Sequence, residues 1–170
     1  MISSLKAEIN VPEGVRLNVN MSSLLHGYIM ENVDSNFAGE MHISEIRPFS
    51  QSLSRGSDGK WIWRVNTLTE KAEECIINVI KNRDSIYLKH HNVKLDITSF
   101  SVIKAFPEMC LERNTISNRD RYINMEFITP TAFKSKGRYV NYPDIRLFFM
   151  SIINKYNKNS ERILSEEISE

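Results

Sequence analysis

Residues 61–97 read WIWRVNTLTEKAEECIINVIKNRDSIYLKHHNVKLDI, and this stretch decides the fold. Trp61, Trp63 and Val65 occupy alternate positions, which predicts a half-buried strand. Residues 67–70 (Thr-Leu-Thr-Glu) have the pattern of a capping box, so a helix is predicted to begin here. The apolar positions of that helix recur at the spacing of one helical face: Ala72, Cys75, Ile76, Val79 and Ile80. A strand followed by a helix is therefore predicted.

Paired strands are predicted on both sides of this unit. Downstream, apolar residues alternate over 86–88 and again over 93–97, with a break near His91-Asn92. Upstream, residues 55–59 (Arg-Gly-Ser-Asp-Gly) are turn formers that predict a hairpin joining an extended segment, 45–53, to the Trp61 strand. Two hairpins around one helix follow from this pattern.

The start of the chain predicts one more strand and one more helix. Val15, Leu17 and Val19 alternate over 15–19, and Asn20 or Ser22 can cap the helix that follows. That helix has one apolar stripe: Leu24, Leu25, Tyr28, Ile29 and Val33. The resulting order, β-α-β-β-α-β, is that of an α+β ferredoxin-like domain. We assign it residues 1–115.

Residues 116–170 predict the beginning of a second unit. Residues 122–128 are strand-like, and Pro143-Asp144 opens a helix with a broad apolar face. That face consists of Ile145, Phe148, Phe149, Ile152, Ile153 and Tyr156. Because one strand and one helix cannot close a sheet, we expect this helix to pack on the first domain, on further strands or on a second copy.

Composition restricts the class of protein. The chain has 170 residues, of which 41% are hydrophobic and 25% charged, as in ordinary soluble globular proteins. It has no apolar run of about 18 residues, which argues against a membrane span, and no apolar signal core near Met1, which predicts a cytoplasmic protein. Cys75 and Cys110 lack the spacing of metal ligands and are predicted to be reduced core residues.

Charge is unevenly distributed although the net charge is +1. Residues 113–138 contain six basic and two acidic side chains, whereas residues 159–170 contain one basic and four acidic. A polyanion could bind the first region and would avoid the second. On composition alone, a solvated face followed by a compensating tail explains the same pattern.

Four sequence blocks carry a resemblance to a known family. They are residues 25–28 (Leu-His-Gly-Tyr), Met41-His42, residues 47–52 (Arg-Pro-Phe-Ser-Gln-Ser) and residues 127–135 (Phe-Ile-Thr-Pro-Thr-Ala-Phe-Lys-Ser). In this order they resemble the repeat-cleaving CRISPR RNA endoribonucleases, the sixth Cas family of the RAMP superfamily. That family has two ferredoxin-like domains and a glycine-rich loop near its C-terminus. Here the last glycine is Gly137, so the resemblance implies a fragment or a shortened member.

The resemblance implies a metal-independent endoribonuclease that processes CRISPR repeat transcripts to 2′,3′-cyclic phosphate and 5′-hydroxyl ends. His42 occupies the position of the family's proton-transfer histidine, and His26 occupies the "HG" position of a second catalytic or phosphate-orienting group. Tyr28 and Arg47 are the nearest matches to a family tyrosine and lysine. Arg47 keeps the positive charge and can bind phosphate bidentately, but it cannot donate a proton.

The residues alone leave structural alternatives open. His42 could interact with the last carbonyls of a helix, and Tyr28 could be a core aromatic residue. His26 at the edge of the stripe also suits a half-buried structural histidine. His90 and His91 favour a solvated basic hairpin, with backbone contact to RNA as the minority interpretation.

No metal or cofactor is expected. His26 and His42 have no accompanying acidic or thiol cluster, and neither a P-loop nor a dinucleotide fingerprint occurs in the sequence. RNA binding is predicted for residues 134–139, a predicted loop that joins basic residues to an aromatic one. The RNA-binding candidates are Lys134, Lys136, Arg138, Tyr139, Arg119 and Arg121. An ordinary exposed connection remains the alternative for this loop.

Two other functions are compatible with the sequence. One is a catalytically silent RAMP subunit that only binds RNA, and the other is a ferredoxin-like module that binds a protein partner through its basic loop. The expected partners are CRISPR repeat RNA, other Cas proteins of an interference complex and a second copy of the chain, with no membrane. RNA retention that is lost steeply as salt rises would separate both RNA functions from the protein-binding one.

Overall fold

The computed structural model describes residues 2–105, 124–127, 131–135, 137–140, 142–161 and 163–165. The chain divides into two compact units, Met1–Pro107 and Glu108–Glu170. The boundary expected after residue 115 lies outside the described residues. Each unit is described by itself.

The first unit contains one five-stranded antiparallel sheet and three helices. The strands are β1 (Ile2–Asn10), β2 (Phe49–Arg55), β3 (Trp61–Thr67), β4 (Ser85–Leu88) and β5 (Val93–Ala105). The helices are α1 (Ser22–Asn32), α2 (Ser35–Ile43) and α3, which runs as α-helical Glu70–Ala72, π-helical Glu73–Ile77 and α-helical Asn78–Lys81. The strand order is β2-β3-β1-β5-β4, with β1 in the middle. The predicted α+β ferredoxin-like fold is confirmed.

The first strand differs from the prediction. Residues 15–18 form no strand, and Val19–Met21 is a 3₁₀ turn. The strand is instead β1, in which Leu5, Ala7 and Ile9 are buried on one face while Lys6 and Glu8 lie on the other. Its central place between β3 and β5 explains this choice, because pairing on both edges satisfies its backbone groups.

Two helix starts also differ from expectation. Neither predicted cap acts on α1, whose N-cap is Met21 without a side-chain hydrogen bond. A separate helix, α2, precedes the segment expected to be extended from residue 45, so β2 begins only at Phe49. Asp34 caps α2, because its carboxylate accepts hydrogen bonds from the backbone N–H groups of Asn36 and Phe37.

A helix does begin in the segment 67–70, but its cap differs from the predicted capping box: Thr67 belongs to β3, and Thr69 is the N-cap. The hydroxyl of Thr69 accepts a hydrogen bond from the backbone N–H of Ala72 at 3.2 Å, and the helix begins at Glu70. The π-helical segment carries a buried carboxylate, Glu73, which accepts a hydrogen bond from Ser3 and pairs with Lys104. The lysine pairing and the serine hydrogen bond lower the pKa of Glu73 against the opposing effect of burial. α3 is therefore tied to β1 and β5.

The core lies between one sheet face and the helices. It includes fully buried side chains from the central strands and from every helix, among them Leu5, Leu25, Phe37, Trp63, Ile76 and Leu95. Burying each large apolar side chain contributes about 1.5–3 kcal/mol. Because α1 and α2 both contribute to this core, their packing determines where His26 and His42 lie.

Both predicted hairpins are present in the first unit. β2 and β3 pair antiparallel around the turn at 56–60, where Gly59 has φ +81°. β4 and β5 pair around a 3₁₀ turn, Lys89–His91, followed by Asn92 in the left-handed region at φ 50°. Asparagine tolerates that backbone conformation better than most residues.

The second unit contains a short hairpin and one helix in its described part. β6 (Phe133–Ser135) pairs antiparallel with β7 (Arg138–Val140), so the segment expected to be a loop is a hairpin. α4 (Ile145–Asn159) begins where predicted, because the Asp144 carboxylate accepts a hydrogen bond from the Leu147 N–H at 2.8 Å. Residues 124–127, expected to be strand-like, have no regular structure, and the rest of that predicted strand lies outside the described residues.

An aromatic cluster covers part of α4. Phe127 contacts both Phe133 and Phe148 edge to face, and Phe148 contacts Phe149. None of the described α4 residues is fully buried, and Ile145 and Ile152 are 67% and 49% exposed. The expected burial of the α4 face is therefore partial.

In the described part of the chain, no helix is both long and apolar enough to cross a membrane.

Candidate active site

His26 lies on the second turn of α1, half-buried against the sheet. Its imidazole ring stacks on the phenyl ring of Phe49, with 5.7 Å between the ring centroids and 28° between the planes. Phe49 is the first residue of β2 and is 4% exposed, so one face of the imidazole lies on apolar surface. The ring is thereby held in a fixed orientation.

Arg47, two residues before Phe49, closes the other side of the site. Its Nε donates to the backbone carbonyl of Met41 at 3.1 Å, and its Nη1 lies 3.5 Å from His26 Nε2. A guanidinium has donors only, so this contact favours the tautomer of His26 in which Nε2 accepts and Nδ1 carries the ring proton. In that tautomer the Nε2 lone pair faces Arg47.

His42 is the third member of the group. It lies in the last turn of α2, where the helix ends near Arg47, and its side chain is exposed. Arg47 binds the carbonyl of Met41, the residue before His42, and the charge of His42 contributes to lowering the pKa of His26. His26, His42 and Arg47 therefore converge from α1, α2 and the α2–β2 connection.

Burial lowers the pKa of His26, and the positive charges of Arg47 and His42 lower it further. All three causes disfavour the imidazolium form. His26 is thus neutral at neutral pH, which is the state that a proton acceptor needs.

Gln51 anchors the helix that carries His26, a role the sequence did not indicate. Its Nε2 donates to the backbone carbonyl of Ser22 at 2.6 Å, and its Oε1 accepts from the Trp63 indole at 2.8 Å. In an α-helix the Ser22 carbonyl is the acceptor for the N–H of His26, one turn on. Phe49 and Gln51 are two residues apart on β2, so both lie on the helix-facing side of the strand. This spacing was the sequence signal from which the role of Gln51 could have been inferred.

Tyr28 lies elsewhere on α1. Two residues after His26, its side chain diverges by about 200° around the helix. It is 9% exposed and contacts the Trp63 ring edge to face. Burial raises the pKa of its hydroxyl, with a smaller opposite effect of Arg83. These contacts support the core alternative for Tyr28.

The basic segment of the second unit forms the β6–β7 hairpin. Lys134 pairs with Tyr139 and Ser135 with Arg138 across the two strands, so Lys134 and Tyr139 lie on one face. Tyr139 is 73% exposed, and Gly137 at the turn has φ +78°. Lys136, Arg119 and Arg121 lie outside the described residues. Among the described residues no three His, Cys, Asp or Glu side chains group as metal ligands.

Comparison with known proteins finds one family to which this chain is similar. The model of the family CRISPR-associated endoribonuclease Cas6 matches residues 125–169. A Cas6 endoribonuclease of Mycobacterium tuberculosis strain CDC 1551 is 29% identical over 164 residues, which cover 90% of this chain and 49% of that protein. One from Streptococcus thermophilus is 28% identical over 133 residues, covering 78% of this chain and 54% of that protein. The predicted resemblance to the Cas6 family is confirmed.

Solved Cas6 structures share the fold. A Cas6 product complex superposes with a TM-score of 0.68 at 19% identity, covering 97% of this chain and 68% of that one. A Cas6 complex with a substrate mimic gives a TM-score of 0.65 at 16% identity, with coverage of 97% and 66%. The chain spans about half the length of the curated Cas6 relatives it matches.

Proposed function

We propose that this chain provides the catalytic groups of a metal-independent endoribonuclease that cleaves CRISPR repeat RNA. The convergence of His26, His42 and Arg47 carries the proposal, because it supplies two titratable groups and one fixed cation. The resemblance to Cas6 endoribonucleases along 90% of the chain supports the substrate class.

The two histidines are assigned opposite roles in this reaction. His26, neutral with an unprotonated Nε2, accepts the proton of the ribose 2′-hydroxyl next to the scissile phosphate. The 2′-oxygen then bonds to phosphorus as the bond from phosphorus to the 5′-oxygen breaks. His42, exposed at the end of α2, donates a proton to the departing 5′-oxygen. The products are a 2′,3′-cyclic phosphate and a 5′-hydroxyl.

Arg47 is assigned to the phosphate. Its Nε is occupied by the Met41 carbonyl, which holds the guanidinium in place, while its Nη groups face the site. A fixed guanidinium stabilises the additional negative charge of the transition state without needing to reorganise. At 3.5 Å its contact with His26 Nε2 is long and weak, so that atom is available to the 2′-hydroxyl.

Single-turnover cleavage of a repeat RNA tests the two histidines. We expect His42→Ala and His26→Ala each to slow cleavage by about 10²-fold or more, because each loses one proton transfer. RNA affinity should stay close to that of the parent. Glu45→Ala, an exposed change in the same connection, is the matched control and should cleave at the parental rate. A rate for His42→Ala equal to the parent's would remove His42 from the mechanism.

Metal dependence and the product ends provide a second test. The proposed reaction needs proton transfers and one cation, all supplied by side chains, so cleavage should continue in excess chelator. The 3′ end of the upstream product should resist a ligase that requires a free 3′-hydroxyl. Cleavage that stops with chelator and returns with magnesium would contradict the histidine mechanism.

The β6–β7 hairpin is proposed to bind the RNA backbone. Lys134 and Arg138 are exposed cations, and Tyr139 next to them can stack on an unpaired base.

Binding to other Cas proteins and formation of a homodimer remain predictions. The exposed Ile145 and Ile152 on α4 are where we expect such an apolar contact, and light scattering with Ile152→Glu would detect it.

A further inference from the structure

A pocket lies on the flank of α1 that faces away from His26. The first and second turns of α1 form one wall and the β4–β5 connection forms the other, around a cavity of about 140 Å³. Gly27, which follows His26 directly, belongs to this wall. The pocket is therefore separated from the histidine cluster by the width of a single helix.

Tyr28 brings a hydroxyl group to this pocket. The residue is nine-tenths buried and lines the cavity. Burial raises the pKa of this hydroxyl, so it stays protonated and can both donate and accept a hydrogen bond. It can therefore hydrogen-bond to a polar group that enters the cavity.

Tyr87 supplies a flat aromatic surface on the opposite wall. It is 48% exposed, and its hydroxyl donates to the Asn92 side chain at 2.6 Å. This hydrogen bond holds the ring in place at the mouth of the pocket. An exposed aromatic ring with a fixed orientation is suited to stacking on a planar group.

Charged side chains surround the same opening. Lys89 lines the pocket and pairs with Glu31 at 2.7 Å, and His91 lies beside it. A cation at the rim is complementary to a phosphate, whereas a carboxylate and a hydroxyl on the walls can bind the donors and acceptors of a base edge. These groups together match a nucleotide better than a purely apolar ligand.

We propose that this pocket binds one unpaired base of the RNA strand that crosses α1. The proposal rests on the proposed function, because it places the same strand at His26. The base stacks on Tyr87 and hydrogen-bonds to the Tyr28 hydroxyl, while Lys89 neutralises the adjoining phosphate. The pocket then contributes to the choice of substrate without contacting the scissile bond.

Gly27 allows a direct steric test. A Cβ built at this position meets no atom within 4 Å, so a larger side chain can be accommodated by the fold. Gly27→Leu should fill the cavity while remaining compatible with the helix, and Gly27→Ala is the matched control that leaves most of the cavity open. Thermal melting of both variants verifies that they fold. Tyr87→Ser, which removes the opposite wall, is the second variant.

The probe is a fluorescent single-stranded RNA dodecamer with 2′-deoxyribose throughout its cleavable positions, compared with the same backbone lacking bases. We expect Gly27→Leu and Tyr87→Ser to bind the base-bearing RNA roughly tenfold or more weakly, and to bind the abasic RNA like the parent. Unchanged affinity for the base-bearing RNA in both variants overturns the proposal. An equal loss for both RNAs also overturns it, because the pocket would then bind phosphate only.

Because the probe cannot be cleaved, this result is independent of the histidine mechanism. A parent chain that binds both RNAs equally would overturn the base assignment even if it cleaves repeat RNA. Conversely, a chain that discriminates the two RNAs but cleaves none would refute the proposed nuclease and leave the pocket supported.

Discussion

The His26 imidazole stacks on the Phe49 ring at a centroid distance of 5.7 Å. Phe49 is almost fully buried, and it is fixed by its place at the start of β2. The same strand therefore determines both the orientation of the imidazole and how much water reaches it. Burial is the largest cause of the lowered pKa of His26. The acid–base behaviour of the site thus depends on a residue that carries no charge.

Replacing Phe49 should change the titration of His26. We expect Phe49→Ala to raise the pKa of His26 towards its usual value, because water reaches the face that the phenyl ring covers. Two-dimensional NMR of the imidazole nitrogens measures this directly. Leu53→Ala, equally buried on the same face of β2, is the control for a simple cavity. A similar rise in both variants would contradict a specific role of Phe49.

The pH dependence of stability should reveal the same group. The pKa of His26 is lower in the folded chain, so between that value and the unfolded value of about 6.5 the unfolded state binds more protons. The free energy of unfolding should therefore fall as pH decreases below about 6.5. His26→Gln should show a smaller fall over the same range in urea titrations. Identical pH profiles for parent and variant would contradict the assignment.

Arg47 should not be replaceable by lysine. Arg47→Lys keeps the charge but cannot donate to the Met41 carbonyl and face the site at the same time. We expect a cleavage rate reduced by about tenfold or more with little change in RNA affinity, since a preorganised transition-state contact is lost. Single-turnover rates and binding titrations measure both quantities. A parental rate with lysine would show that charge alone is needed.

Gln51 and Trp63 should be energetically coupled. Gln51→Leu leaves the buried indole N–H of Trp63 without its partner, which should reduce the free energy of unfolding by about 1–3 kcal/mol. Trp63→Phe removes that donor but also opens space in the core. The loss in free energy of unfolding of the double variant should be smaller than the sum of the losses of the two single variants. Urea denaturation of the four chains completes the cycle, and strict additivity would argue against the hydrogen bond.

The β6–β7 hairpin should contribute to RNA binding in two distinguishable ways. Lys134→Ala should reduce the slope of log affinity against log salt by about one unit, because one phosphate contact is lost. Tyr139→Ala should weaken binding without changing that slope. Lys158→Ala, an exposed cation in the last turn of α4, is the control. Equal slopes for Lys134→Ala and Lys158→Ala would argue against the assigned contact.

Local sequence patterns predicted the parts of the fold that depend on contacts between residues close in sequence. The Gly59 turn and the Asp144 cap each depend on residues within four positions, and both are present, whereas the predicted capping box of 67–70 is replaced by a cap at Thr69. The first strand was misplaced because 15–19 and 2–10 both alternate, and only pairing with β3 and β5 selects between them. Such a choice depends on partners that are distant in sequence.

The candidate site was predictable to a similar extent. The order of the blocks pointed to His26, His42 and Arg47; the structure brings His26 and Arg47 into contact, and the carbonyl that Arg47 binds is that of Met41, next to His42. The apolar stripe of α1 already allowed Tyr28 to be a core aromatic residue, but its contact with Trp63 depends on the rotation of α1 against the sheet. The anchoring role of Gln51 was not predicted, because its two hydrogen-bond partners are 29 and 12 residues away in the sequence.

The spacing of Arg47, Phe49 and Gln51 has a consequence for how this chain can vary in length. Side chains on a strand alternate between faces, so inserting one residue within 47–51 would turn part of this set towards the opposite side of the sheet. An insertion at the turn, 56–60, would only lengthen the loop between β2 and β3. Length variation among natural relatives should therefore accumulate at that turn, and the interval from Arg47 to Gln51 should keep its length even where the residues between them change.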